Sequence, residues 1–192
     1  MAIRPPRPKR QERQASSRYH GLRMSEQEYL ALPEEKPYLE YVDGVVLQKP
    51  MPNANHRKLV TRFVVALDAY ARSVGGDSGP EGRIAFPESS NFRLPDAAFW
   101  GPGIPHGDDS IPTLVVEVRS PQQSMGELRQ KCRFFRRNGV QVAWLVDPES
   151  RTVEVFEANR DADRQAPPAV LTSPALPGFE LDLAAMFATL DS

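Results

Sequence analysis

The chain has 192 residues, with 24 basic and 25 acidic side chains, so its length suits a single domain and its total charge favours no class of partner. A single cysteine, Cys132, excludes an internal disulfide and is typical of a reducing cytoplasm. No apolar run approaches the roughly 18 residues that cross a membrane, and the basic N-terminus lacks the apolar stretch of a secretory signal, so we expect a cytoplasmic chain without a membrane segment.

The first 23 residues are rich in arginine and proline and carry seven basic side chains against one acidic one. A segment with so few large apolar side chains cannot offset the entropy of being ordered, so we predict a disordered basic arm over residues 1–23. Its role stays open between a solvated tail, or a misassigned start, and an arm that contacts nucleic-acid phosphates. The remaining 17 basic and 24 acidic side chains belong to residues 24–192, which we predict to be one domain.

Local signals predict three elements in the N-terminal part of this domain. Ser25 and Glu28 form a capping-box pattern, and Asp43-Gly44 is a two-residue hairpin signal. Asn53 can cap a helix whose apolar side chains recur at helical spacing. The predicted elements are a short helix that opens at Ser25 and runs to about Ala31, an N-terminal hairpin of strands 38–42 and 45–47, and a long helix from Asn53 to about Ser73.

Short β-prone runs surround one helical segment in the rest of the chain. The run 113–118 is nearly continuously apolar, which is typical of a central strand buried on both faces. Helices interleaved with apolar strands predict an α/β fold around a mixed sheet. The predicted elements are strands 83–86, 97–100 and 113–118, a helix from about Met125 to Asn138, strands 142–146 and 152–156, a polar loop around 159–168, a strand near Val170 and a short helix from Leu183.

Two carboxylates stand in β-prone runs, where they would be costly to bury. Glu117 interrupts the most apolar strand, and Asp96 follows Pro95 at the start of its own strand. If the two strands are neighbours, both carboxylates reach one point at an edge of the sheet, and oxygen ligands of this kind suit Mg²⁺. Two structural alternatives stay open: Asp96 caps a turn, or Glu117 pairs with an arginine.

Pro95-Asp96 followed by Glu117-Val118-Arg119 resembles the PD-(D/E)XK signature of restriction-endonuclease-like nucleases. The surrounding sequence, over about residues 24–187, is similar to the Uma-type restriction endonuclease family of bacterial proteins. The resemblance implies a mixed β-sheet flanked by helices, and cleavage of phosphodiester bonds in DNA that depends on Mg²⁺ or Mn²⁺. The similar stretches are Met24–Leu30, Leu39–Gly44, Leu94–Phe99, Val115–Pro121 and Gly139–Pro148.

The resemblance also assigns roles to individual acidic residues. It implies that Asp96 and Glu117 hold the metal ion, with the backbone carbonyl of Val118 as a further ligand. Glu40 matches an acidic position of the family, so it would complete the acidic cluster or bind a second metal. The alternative for Glu40 is an ordinary carboxylate on the surface of a strand.

The signature has a lysine two residues after its second acidic residue, but this chain has Arg119 at that position. Arginine can neutralise a phosphate but does not give up its proton, so it cannot serve as a base. Members of the family often use a lysine of the following helix instead, and Lys131 stands there. We therefore expect Lys131 to hold the attacking water or the phosphate, with an ordinary surface lysine as the alternative.

Three other residues carry simpler expectations. His56 is expected on the surface of its helix, or as a residue that orients a ligand. Asp43 is expected to serve its turn, and Cys132 to lie in the core, one turn from Leu128.

The helix that follows Glu117 is basic, which predicts contacts to phosphates. A homodimer is expected from the resemblance, because nucleases that cut both strands often work as pairs. Two other functions compete: a nuclease-fold module that binds nucleic acid without cutting, and a partner-binding protein whose acidic body avoids DNA. The candidate phosphate contacts are Arg119, Arg129, Arg133, Arg136 and Arg137.

Overall fold

The structure is a computed structural model that describes residues 16–157 and 162–191. The helices in this part of the chain are α1 (Glu26–Leu30), α2 (Ala54–Val74), α3 (Met125–Arg137) and α4 (Leu183–Ala188), with single 3₁₀ turns at Pro87–Ser89 and Thr189–Asp191. The strands are β1 (Leu39–Val42), β2 (Val45–Gln48), β3 (Asp77–Pro80), β4 (Ile84–Phe86), β5 (Asn91–Arg93), β6 (Ala97–Trp100), β7 (Leu114–Val118), β8 (Val142–Asp147), β9 (Thr152–Glu157), β10 (Asp163–Gln165), β11 (Val170–Ser173) and β12 (Leu176–Asp182).

The largest sheet is mixed and has the strand order β10-β9-β8-β7-β6-β3. Only β7 and β8 are parallel within it, because α3 forms the crossover that returns the chain to the same end of the sheet. A second sheet, in the order β2-β1-β5-β4, contains the N-terminal hairpin, and β11 pairs with β12 in a third. The predicted α/β fold with a mixed sheet flanked by helices is confirmed.

Helices cover both faces of the largest sheet, so β7 is buried on both sides. Phe63 of α2 belongs to the same core cluster as Val116 of β7. Cys132 and Phe135 of α3 share a second cluster with Val115 on the opposite face. The predictions of a central strand and of a core position for Cys132 are confirmed.

The turns and caps follow the local sequence signals. Ser25 and Glu28 form the predicted capping box of α1, and the side chain of Asn53 caps α2. Asp43 and Gly44 have φ values of 50° and 82°, which suit the tight turn of the β1–β2 hairpin. The helix and hairpin predictions for residues 25–74 are therefore confirmed.

Order begins earlier than the predicted boundary near Ser25. The backbone N–H of Gly21 donates to the carbonyl of Val46 at 2.8 Å, and the N–H of Val46 donates to Leu22 at 2.9 Å. The outer edge of β2 offers unpaired backbone groups, and this pairing stabilises a segment that has little apolar surface. The part of the predicted arm in residues 1–15 lies outside the described residues.

Four strands, β3, β5, β10 and β12, were not predicted. The sequence of β3, Asp-Ser-Gly-Pro, has no apolar pattern, and the strand forms through backbone pairing with β6 at the edge of the sheet. β10 lies in the segment predicted as a polar loop, of which residues 158–161 lie outside the described part. The other predicted strands agree with the structure to within about one residue.

Within the described residues, no helix has the length and apolar character needed to span a membrane.

Gly76 marks a tight approach between the end of α2 and β6. A Cβ atom at this position would lie 2.5 Å from the backbone oxygen of Trp100 and 2.9 Å from Cε2 of Phe99. Because both neighbours belong to the packed sheet, Gly76→Ala should lower the free energy of unfolding by about 1–3 kcal/mol. Gly107→Ala, with no atom within 4 Å of its Cβ, serves as the control and should be nearly neutral. Urea denaturation of both variants measures the difference, and equal stabilities would contradict the prediction.

Candidate active site

The register of β6 against β7 brings the two predicted carboxylates together. Ala97 pairs with Val116 in this antiparallel ladder, so Asp96 lies opposite Glu117. Directly opposite residues of antiparallel strands project on the same face of a sheet. Asp96 and Glu117 are each only 2 % exposed, and both line one small cavity of about 110 Å³. The neighbouring strands that the site requires are therefore present.

Asp96 is held by three donors from distant parts of the chain. Its Oδ1 accepts from Nζ of Lys49 at 2.8 Å, while its Oδ2 accepts from the backbone N–H of Val118 at 2.7 Å and from Nε2 of His56 at 3.0 Å. Burial alone would raise the pKa of Asp96, but Lys49, His56 and the more distant Lys131 hold it well below its ordinary value. Asp96 therefore remains ionised, and its bonds are tertiary ones rather than those of the turn cap considered as an alternative.

Glu117 is buried with less compensation than Asp96. Nζ of Lys131 lies 2.8 Å from its Oε1, but this contact lacks the angles of a hydrogen bond, and Oε1 has no hydrogen-bond partner within the described residues. Burial, together with the nearby charge of Asp96, outweighs the attraction of Lys131 and raises the pKa of Glu117 to about 7. The alternative in which Glu117 pairs with an arginine is wrong, because its partner is Lys131.

Lys131 joins Glu117 to Glu40. Its Nζ lies 2.7 Å from Oε1 of Glu40 and donates to the carbonyl of Leu94 at 3.3 Å. Glu40 is 6 % exposed and also accepts from the backbone N–H of Leu94 at 2.8 Å. Burial would raise the pKa of Glu40, but Lys131 and Arg93 lower it. The surface alternatives for Glu40 and Lys131 are both wrong, since the two side chains form a buried ion pair.

His56 and Lys49 also belong to the cluster. His56 was predicted either on the helix surface or as a residue that orients a ligand; the surface alternative is wrong, because His56 is 7 % exposed and lies on the same face of α2 as Leu59 and Phe63. Its spacing of three residues from Leu59 is a signal that could have placed it on the buried face. Lys49 follows β2 in a polar run, and no sequence pattern links it to Asp96, which lies 47 residues further along the chain.

The predicted phosphate-binding arginines lie away from the carboxylates. Arg119 contacts Asp147 and Glu149 with its Nη1, at 3.2 Å and 2.7 Å. Arg129 forms two hydrogen bonds with Glu154 at 2.8 Å and 2.6 Å. Along the same flank of α3, Arg133 lies over the ring of Phe156 and Arg136 donates to the carbonyl of Val140. Among the described residues, these arginines do not enter the cluster, and their contact with nucleic acid stays a prediction.

A groove of about 1140 Å³ runs between the N-terminal hairpin and the other flank of α3. Glu40 and Lys131 line this groove, together with Arg93 and the exposed Arg137. Lys49 lines both the groove and the smaller cavity that holds Asp96 and Glu117. The groove therefore borders the cluster at Glu40, Lys49 and Lys131, next to the cavity that holds Asp96 and Glu117.

The donor set of the cluster suits a hard divalent cation. Glu117 is a buried carboxylate whose charge is compensated by a single ammonium contact, on Oε1, and a cation can supply the compensation that is lacking. Within residues 16–157 and 162–191, no three His, Cys, Asp or Glu side chains are gathered to hold a metal ion by themselves. A cation at Asp96 and Glu117 would therefore need water or a backbone carbonyl to complete its shell, as Mg²⁺ commonly does.

The sequence of the chain matches a family model, and its fold is similar to that of a solved structure. The sequence model of the Uma2 family, described as "Putative restriction endonuclease", matches residues 26–184. Among solved structures, the chain is similar to "a putative nuclease belonging to DUF820" from Anabaena variabilis ATCC 29413, with a TM-score of 0.78 and 24% identity over 87% of this chain and 99% of that one. That likeness shows the fold.

A further match is the cryo-EM structure of the DrdV–DNA complex, with a TM-score of 0.40 and 16% identity over 66% of this chain and 11% of that one. No curated protein matches the chain.

The raised pKa of Glu117 predicts how stability depends on pH. Between about pH 4.5 and pH 7 the folded protein keeps a proton on Glu117 that the unfolded chain has lost, so the free energy of unfolding falls as the pH rises through this interval. Glu117→Gln should therefore stabilise the metal-free protein by roughly 1–3 kcal/mol at pH 8, and by much less at pH 4.5.

Chemical denaturation in EDTA at the two pH values measures this difference. Glu180→Gln, which replaces an exposed carboxylate on β12, serves as the matched control and should leave the pH dependence unchanged. A Glu117→Gln variant that loses stability equally at both pH values would show that the carboxylate is well compensated when it is ionised.

Proposed function

The chain belongs to the Uma2 family, and on that premise we propose that it is an endonuclease that hydrolyses phosphodiester bonds of DNA with the help of Mg²⁺ or Mn²⁺. The observation that carries this proposal is the buried cluster of Glu40, Asp96 and Glu117 beside a groove, in which Lys131 joins Glu40 to Glu117 and Lys49 contacts Asp96. Buried carboxylates without full compensation are unusual in a structural core and are typical of sites that receive a cation.

Asp96 and Glu117 would hold the divalent ion, with the backbone carbonyl of Val118 as a further ligand. When bound, such an ion neutralises the charge that develops on a phosphate during cleavage. Asp96 suits this role because Lys49, His56 and the N–H of Val118 keep it ionised and fix its orientation.

Lys131 would act on the substrate rather than on the ion. Its ammonium is fixed between Glu40 and Glu117, and it can donate a hydrogen bond to a phosphate oxygen or hold the attacking water in place. Glu40 would position Lys131, because its Oε1 lies 2.7 Å from that ammonium and is itself held by the backbone N–H of Leu94. Arg119 would not share this role, since its guanidinium contacts Asp147 and Glu149 instead of the carboxylates of the cluster.

A second function, nucleic-acid binding without cleavage, keeps one specific observation in its favour. The signature lysine is replaced by Arg119, and that side chain does not reach the carboxylates. In this alternative the buried lysines would only neutralise the acidic cluster. Cleavage assays separate the two functions, because both predict DNA binding and only the first predicts product.

Activity should depend on the cluster and not on charge elsewhere. Asp96→Asn and Lys131→Met should each lower the rate of plasmid cleavage at least about 100-fold, because the first removes a charged ligand of the divalent ion and the second removes the ammonium that would contact the phosphate or the attacking water. The matched controls are Asp68→Asn on the exposed face of α2 and Lys58→Met, whose ammonium donates to the carbonyl of Thr189 and lines neither the cavity nor the groove. Both controls should retain activity, and unchanged cleavage by Asp96→Asn would refute the proposed site.

The groove predicts which flank of α3 meets the phosphates. Arg137 on the groove side and Arg133 on the opposite flank are both exposed arginines of the same helix, so they form a matched pair. Arg137→Gln should weaken DNA binding several-fold at low salt and reduce the salt slope by about one, while Arg133→Gln should change neither. Fluorescence anisotropy at several salt concentrations measures both quantities. The reverse result would move the interface to the flank that carries Arg129, Arg133 and Arg136.

A further inference from the structure

Lys49 contacts Oδ1 of Asp96, whereas His56 contacts the other carboxylate oxygen, Oδ2. Nζ of Lys49 donates to Oδ1 of Asp96 and to the carbonyl of Leu94, both at 2.8 Å. The Lys49 side chain is only 11 % exposed, so the ammonium gives up most of its hydration for these two bonds. A buried lysine in this position acts as the counter-ion of Asp96.

Among the described residues, donors occupy three of the four lone pairs of the Asp96 carboxylate, so one lone pair, on Oδ1, is left for another ligand. Oδ2 already accepts from His56 and from the backbone N–H of Val118, which fills the two lone pairs that a carboxylate oxygen offers. Oδ1 keeps one free lone pair, but the ammonium of Lys49 lies directly against it. A divalent cation that binds Oδ1 would meet a positive charge at close range, where Coulomb repulsion is strong.

We propose that Lys49 is a built-in competitor of the divalent ion, so that residue 49 sets the metal affinity of the site. The inference rests on the proposed function, in which Asp96 and Glu117 hold that ion. In the absence of metal, Lys49 neutralises Asp96. On metal binding, its ammonium leaves Oδ1 for the groove, which the Lys49 side chain already lines.

Lys131 does not have this role, although it is the second buried ammonium of the cluster. It contacts Glu117 and Glu40 rather than Asp96, and it can stay between them while a cation binds the other oxygen of Glu117. The two lysines are thus distinguished by their partners. Removal of Lys49 should free a metal ligand, whereas removal of Lys131 should leave Glu40 and Glu117 without their shared cation.

A calorimetric titration of the full chain with Mn²⁺ tests the inference directly. Lys49→Met, which keeps an aliphatic side chain of similar length, should bind Mn²⁺ at least about tenfold more tightly than the unmodified protein. Lys58→Met removes an ammonium that donates to the carbonyl of Thr189 and lines neither the cavity of Asp96 and Glu117 nor the groove, and it should leave the affinity unchanged.

Thermal denaturation gives a second measurement that does not require activity. In EDTA, Lys49→Met should melt at a lower temperature than the unmodified protein, because Asp96 has lost its counter-ion. Saturating Mn²⁺ should raise its melting temperature by more than it raises that of the unmodified protein, since a ligand that binds the folded state stabilises it in proportion to its affinity.

The outcomes separate this inference from the proposed function. Equal or weaker Mn²⁺ binding by Lys49→Met overturns the inference and leaves the metal site standing. No Mn²⁺ binding by either protein overturns both. If Lys49→Met does not fold, Lys49→Gln is measured with the same expectation, and Lys49→Arg, which keeps the charge, should bind no more tightly than the unmodified chain.

Discussion

The cost of placing carboxylates inside the protein determines the architecture around the site. Glu40, Asp96 and Glu117 are nearly inaccessible to water, and a buried anion is stable only where cations or donors replace its hydration. Lys49, which follows β2, and Lys131 of α3 supply two ammonium groups, and both donate to the carbonyl of Leu94. The compensation is complete at Asp96 and incomplete at Glu117, so the unsatisfied charge of the cluster is concentrated on a residue of the central strand.

The topology explains how residues so far apart in sequence meet. β6 and β7 are antiparallel, which sets Asp96 beside Glu117, and the parallel pairing of β7 with β8 requires a crossover helix. That helix is α3, and it packs on the face of the sheet to which Glu117 projects. Lys131 of α3 therefore contacts the carboxylate of Glu117 from the helix side of this face. Lys131, which we propose in the role of the missing signature lysine, is therefore placed by the crossover and not by the strand.

The sequence could predict those features that depend on neighbours along the chain. The caps at Ser25 and Asn53 and the helices they open follow from local hydrogen bonds, and the apolar character of β7 predicts its burial. The convergence of Asp96 and Glu117 could be predicted only on the condition that their strands are neighbours. Lys49 could not be placed at all, because its position depends on how the hairpin packs against the rest of the chain, and β3 has no apolar pattern to reveal it.

The cluster lies at a junction between two sheets, and its ion pairs connect them. Glu40 belongs to β1 of the hairpin sheet, Glu117 belongs to β7 of the larger sheet, and Lys131 links them. Asp96 stands in the short connection from β5 to β6, where the chain passes from one sheet to the other. The groove opens between the same hairpin and α3, so Lys131 ties together the two elements that form its walls. The charge balance of the carboxylates and the attachment of the hairpin to the larger sheet therefore depend on the same ammonium group.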